Sequence, residues 1–127
     1  MKEMIYKSKR EIEILDKGTY NGMEYVIVSY GVHPCAYVKL PKDSKYYGKD
    51  YYDCDVVDNV VHGGLTFSGS LKHIGFDDTE FWYGWDYSHC GDYSGYPPLQ
   101  FATDKKWHTD EILEHVKAAI DVLVQEK

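Results

Sequence analysis

Asp86, His89 and Asp92 stand three residues apart in Gly-Trp-Asp-Tyr-Ser-His-Cys-Gly-Asp (84–92), and His62 precedes a glycine pair in Val-Val-His-Gly-Gly-Leu-Thr-Phe (60–67). Two imidazoles and two carboxylates form a set able to hold Zn²⁺, Mn²⁺ or Fe²⁺, and an open coordination position would activate water. Without metal, a carboxylate that orients a histidine makes a general acid–base pair. A different chemistry is carried by the same stretch. Trp82, Trp85 and Tyr87 offer aromatic faces on which a purine would stack, worth ~1–3 kcal/mol per base. His62, Gly63 and Gly64 offer an imidazole and backbone N–H groups to a phosphate, Asp86 or Asp92 would accept from ribose hydroxyls, and Thr66 adds a hydroxyl. The plainest reading is structural: Asp86, His89 and Asp92 satisfy one another and tie a turn.

Other chemistries are excluded by what the chain lacks. It has no serine nucleophile elbow and no glycine-rich phosphate loop of the known kinds. Cys35, Cys54 and Cys90 form no C-x-x-C pair, so a cysteine-built zinc site is not expected. An odd number of scattered cysteines and no secretory signal fit reduced thiols in a cytoplasm. No run approaches the ~18 apolar residues of a membrane span. The formal charge of −7 and pI near 5.2 disfavour DNA or RNA as a partner, because such binding depends on neutralising phosphates. A small anionic ligand stays compatible, since backbone amides and a histidine make a site locally positive.

These groups need a scaffold, and 127 residues suffice for a single domain, 1–127. Both halves of the central stretch read as buried strands: Val60, Val61, Leu65 and Phe67 around a His62-Gly63-Gly64 kink, and the aromatic run Phe81 to Tyr87. Glycines within a strand mark a bulge or a close approach. Ahead of them, Ile12 and Ile14 alternate with Glu11 and Glu13, which suggests a strand or a short helix ending near Asp16. Asp16-Lys17-Gly18 and Tyr20-Asn21-Gly22 are turn signals, Asn-Gly being the stronger hairpin mark. Met23 to Tyr30 and Cys35 to Leu40 are strands, and Gly31 to Pro34 turns between them. Short turns predict an antiparallel meander.

Pro41 to Asp58 shifts to Lys, Asp, Gly and Tyr, and a connection of that length is often a binding loop or lid. Gly69 to Glu80 joins the two central strands, and Tyr93 to Lys106 is a further loop. A helix closes the chain, with Thr109 as N-cap and Asp110 and Glu111 complementing the dipole. Ile112, Leu113, Val116, Ala119, Ile120 and Leu123 make its apolar stripe. The expected fold is α+β: a curved antiparallel sheet of about five strands with the C-terminal helix packed on one face.

Cys35-Ala36-Tyr37-Val38, Tyr47-Gly48, His62-Gly63-Gly64-Leu65-Thr66-Phe67 and Gly84 to Asp92, followed by a terminal helix, resemble a family of small, largely uncharacterised proteins of bacteriophages and their hosts. That family is marked by H-G-G-L-T-[YF] and G-[FW]-D-x-x-H-x-G-D segments. The resemblance runs from Cys35 to the C-terminus. The chain departs from it by placing Ser44-Lys45-Tyr46, instead of a His-Pro, before Tyr47-Gly48. It implies a phage-related origin in the cytoplasm of a bacterial host. The expected function is therefore binding of a small, nucleotide-derived ligand in phage–host conflict, sequestering a defence signal without turnover and without a cofactor. The ligand set is His62, Gly63, Gly64, Thr66, Trp82, Trp85, Asp86, His89 and Asp92. The alternative is a metal-dependent hydrolase or phosphodiesterase using His62, Asp86, His89 and Asp92 with a divalent metal. Turnover and oligomeric state, a homo-oligomer included, are left open.

Overall fold

The computed structural model describes residues 12–29, 34–54, 57, 60–61, 64–87 and 108–125. Five antiparallel strands form an open sheet: β1 (Glu13–Tyr20), β2 (Met23–Ser29), β3 (Pro34–Leu40), β4 (Phe67–Gly69) and β5 (Phe81–Asp86), in spatial order β1-β2-β3-β5-β4. One helix, α1 (Thr109–Gln125), follows and lies across β1, β2 and β3. The α+β architecture expected from the sequence is the one observed.

The hairpin at Asn21-Gly22 forms as expected, with φ of 51° and 83° at its two central residues. Positive φ at both positions is what a type I′ turn requires, and its twist matches the flanking strands. Asp16-Lys17-Gly18, by contrast, is no turn but lies inside β1. Gly18 sits opposite Tyr25, and a Cβ there would meet the Tyr25 hydroxyl at 3.0 Å. That hydroxyl donates to Asp16 Oδ2 at 3.4 Å. Residues that usually make turns here give a tyrosine room and an acceptor. A bulge lies between Ile14 and Asp16, and Leu15, the extra residue, packs against the helix-side core.

Side chains alternate across the pleat. Met23, Ile27, Ala36, Val38, Leu40, Tyr83 and Trp85 face α1 and the 41–66 connection, and Tyr87 continues that row. From α1, Ile112, Val116, Ala119, Ile120 and Leu123 enter the same core. Full burial of such an aliphatic side chain contributes about 1.5–3 kcal/mol, so this face dominates stability. The helix begins at Thr109, which puts the capping position at His108 instead of the expected Thr109. The His108 backbone N–H donates to Glu111 Oε1 at 3.0 Å, and Glu111 N–H returns to the His108 carbonyl at 3.0 Å.

Val60, Val61 and Leu65 are not in the expected strand. Val60 and Val61 close a turn on the Val57 carbonyl, and Val57, Val61 and Leu65 plug the helix-side core from irregular chain. Strand pairing resumes only at Thr66, whose N–H donates to the Gly84 carbonyl at 2.9 Å. The long connection before it is tied down by Tyr83, whose hydroxyl donates to the Lys49 carbonyl at 2.9 Å. Its tyrosines divide: Tyr46 is buried, Tyr47 and Tyr51 are half-buried, and Tyr52 is 71% exposed.

The opposite face holds a smaller core of Val26, Val28, Cys35, Tyr37, Leu71 and Trp82. Leu71, Ile74 and Phe76 cover it from the β4–β5 connection, which contains a short 3₁₀ turn at Lys72–Ile74. Among the described residues, no helix is long and apolar enough to cross a membrane.

Candidate functional site

The register places Cys35 opposite Asp86 and Tyr37 opposite Gly84, while Phe67 flanks Gly84 from the other side. Gly84 is the hinge of this arrangement. A Cβ there would fall 2.6 Å from Tyr37 Cε1 and 3.1 Å from the Ala36 carbonyl oxygen. Its absence lets the Tyr37 ring lie over the strand and meet Phe67 edge-on, with centroids 5.4 Å apart and planes at 83°. Such aromatic pairs add about 0.5–1.5 kcal/mol beyond burial.

Beside them opens a cavity of about 210 Å³, lined by Cys35, Tyr37, Thr66, Phe67, Trp85 and Asp86. Thr66 Oγ1 donates to Asp86 Oδ2 at 3.4 Å, a long bond at an exposed rim. Two residues upstream of Thr66, Gly64 takes φ of 79°, a conformation that a side chain would strain. Its N–H donates to the Val61 carbonyl at 3.2 Å. The Cys35 thiol beneath the rim is pushed up to about 12, by burial first and then by the Asp86 carboxylate, with a Tyr37 hydrogen bond working against both. It stays protonated at neutral pH and is a poor nucleophile.

Of the expected site residues, Thr66, Trp85 and Asp86 line this cavity, and Gly64 stands two positions before Thr66 in the chain. His62, Gly63, His89 and Asp92 lie outside the described residues. Trp82 and Trp85 do not join the set as stacking faces. Three positions apart on a strand, they point to opposite sides of the sheet, and each is 1% exposed. Both rings are consumed by the two cores. Among the described residues, no group of three or more His, Cys, Asp and Glu stands ready to hold a metal ion. Asp86 is the single described member of the expected metal set.

Trp85 instead belongs to a buried polar chain. Its Nε1–H donates to the Tyr87 hydroxyl at 2.9 Å, and that oxygen lies 2.7 Å from His115 Nδ1 on α1. The Tyr87 and His115 rings stack within 1° of parallel at 5.9 Å. Indole N–H only donates, so the Tyr87 oxygen accepts from it, and the direction of its bond to Nδ1 follows the His115 tautomer. Trp82 has no such partner among the described residues for its buried Nε1–H.

Cys35, Tyr37 and His115 went unnoticed as neighbours of the motif residues. Cross-strand register, which is not written in local spacing, brings the first two to Asp86 and Gly84. His115 did leave a signal, a polar residue three positions after Ile112 and four before Ala119 on the helix stripe. Compared with protein-family models, with curated proteins and with solved structures, the chain shows no match.

Proposed function

We propose that this protein captures a small ligand at the Thr66–Asp86 cavity and holds it without turnover. The observation that carries this reading is the pairing of a hydroxyl and a carboxylate over a cavity walled by Tyr37 and Phe67. Asp86 is an acceptor for sugar hydroxyls, Thr66 both donates and accepts, and the aromatic wall suits a flat or CH-rich ring. A cavity of about 210 Å³ is smaller than the ~300–1,000 Å³ usual for a whole small molecule. It takes a sugar-sized part, and the remainder of the ligand lies outside it. A nucleotide-derived compound fits that division. In the setting implied by the H-G-G-L-T-F and G-W-D motifs, such a compound would be a defence signal sequestered during phage–host conflict. Binding without chemistry is favoured by the thiol, which burial keeps protonated.

Titration calorimetry with cyclic and linear adenine nucleotides, followed by mass analysis of the recovered compound, tests this. Asp86→Asn should weaken binding by about 10- to 100-fold, the worth of one hydrogen bond to a charged group, and Thr66→Val by less. Recovery of a cleaved product would replace sequestration by hydrolysis. Failure of every nucleotide to bind, or unchanged affinity in Asp86→Asn, would end the proposal.

A further inference from the structure

At the other end of β3 and β5, a second and larger cavity opens where both strands meet the long connections. It measures about 330 Å³ and is bordered by residues from β2, β3, β5 and the loops at 41–47 and 79–80, within the size range of whole small-molecule sites. Its apolar side is made by Met23, Leu40 and Phe81. Tyr47 borders the same opening, with its ring 5.6 Å from that of Phe81 at 56° and its hydroxyl donating to the Thr79 carbonyl at 3.4 Å. Two aromatic rings thus stand at one mouth, tilted and not closed on each other.

The polar side is an ionic triad. Lys39 Nζ lies 2.7 Å from Glu24 Oε2 and 3.1 Å from Glu80 Oε2. Its pKa is raised, by the hydrogen bond to Glu24 foremost and by Glu80 in support, so the ammonium remains charged throughout the physiological range. Among the described residues the two carboxylates share that cation, and the triad has a net negative charge. Each carboxylate has about four acceptor positions, and one contact to Lys39 uses few of them. Lys42, exposed at the same mouth, is the other cation of the lining.

Spare acceptors beside two aromatic rings and an aliphatic floor select for one chemistry. We propose that this cavity is a second binding site, independent of the Thr66–Asp86 cavity, for an organic cation: an amine or guanidinium carried on a flat apolar body. The cation would lie between Glu24 and Glu80, with the body against Phe81, Leu40 and Met23 and within reach of the Tyr47 ring, where cation–π attraction adds to ion pairing. Long connections in compact domains often serve binding, and Tyr47 gives the 41–66 connection that role here.

The test uses three probes with one body and different heads: tryptamine, indole-3-acetate and indole, titrated into the full-length protein under NMR observation. Tryptamine should bind at least tenfold more tightly than indole-3-acetate, weaken with added salt, and shift the resonances of Tyr47 and Phe81. Glu80→Gln should weaken tryptamine about five- to tenfold while leaving indole unchanged. Glu24, whose side chain is 53% exposed, can be changed to Gln without disturbing the core, and that variant should behave the same way. Equal affinity for the amine and the acid would overturn the proposal, as would insensitivity of tryptamine to both substitutions. Asp86→Asn should leave tryptamine binding intact; if it abolishes it, the probe occupies the other cavity and the second site does not exist.

Discussion

Among Gly18, Gly22, Gly48, Gly69, Gly75 and Gly84, it is at Gly84 that an added carbon would meet the nearest neighbours. A Cβ there would fall 2.6 Å from Tyr37 Cε1, closer still to Cδ1, and 3.1 Å from the Ala36 carbonyl. The Tyr37 ring is 6% exposed and set edge-on against Phe67, so giving way would break that packing. Overpacking of this kind costs about 1–3 kcal/mol. Against it stands the gain of replacing glycine in a strand, about 0.5–1 kcal/mol. Gly84→Ala should therefore destabilise by roughly 1–2 kcal/mol, and the Tyr37 ring should account for most of that loss. In a Tyr37→Ala background the clash with the ring is gone and only the Ala36 carbonyl remains close. The same Gly84→Ala change should then be near neutral, giving a coupling of about 1–2 kcal/mol, inside the range for touching residues. Urea melts of the four proteins, compared at equal m-value, measure it. An identical cost in both backgrounds would show that the backbone, and not the aromatic packing, demands glycine.

Two further outcomes follow from buried polar groups. Trp82→Phe should cost less than about 1 kcal/mol in urea melts followed by circular dichroism, because removing an N–H without a partner among the described residues, itself a burden of ~1–3 kcal/mol, offsets the lost packing. Trp85→Phe breaks the bond to Tyr87 and should cost about 1–2 kcal/mol more than Trp82→Phe; the reverse order would contradict the assignment. In a Cys54→Ala, Cys90→Ser background, Cys35 should alkylate at pH 8 about a thousandfold more slowly than a free thiol, its thiolate fraction being on the order of 10⁻⁴. Asp86→Asn should speed the reaction by removing the charge that opposes the thiolate. The sign for stability is set by the raised pKa: the fold favours the protonated thiol, so this contribution is intact below pH ~9 and declines as pH rises towards ~12. Rapid alkylation at pH 8 by the folded protein would refute the burial argument.

The elements that the sequence made legible are those whose signals are local. Asn21-Gly22 turns because both residues tolerate positive φ, β2 and β3 alternate, and α1 carries its stripe from Ile112 to Leu123. The errors arose where tertiary packing borrowed a local signal. Gly18 looked like a turn residue but is the gap that admits Tyr25. Val61 and Leu65 read as strand residues but fill the core from irregular chain. The site was half legible: Thr66 and Asp86 do meet, while the tryptophans expected to offer stacking faces are separated by an odd spacing on a strand and lie in opposite cores. Cys35 and Tyr37 join the site through register alone, and register depends on pairings between segments distant in sequence.

The order β1-β2-β3-β5-β4 also has a history written into it. The meander from β1 to β3 pairs strands that follow one another in sequence and can condense early, because its pairings are local. β4 is made next, yet its partner among the described strands is β5, and β5 must reach back across the whole 41–80 interval before Leu40 meets Phe81. Closing that interval costs entropy before any contact rewards it. Both cores wait for this step, since β5 supplies Tyr83 and Trp85 to one and Trp82 to the other. Until then the outer edge of β3 is an open row of N–H and C=O groups flanked by Cys35, Tyr37 and Val38, the kind of edge to which foreign strands add. The chain is thus expected to be most prone to aggregation from the emergence of β3 until β5 pairs with it.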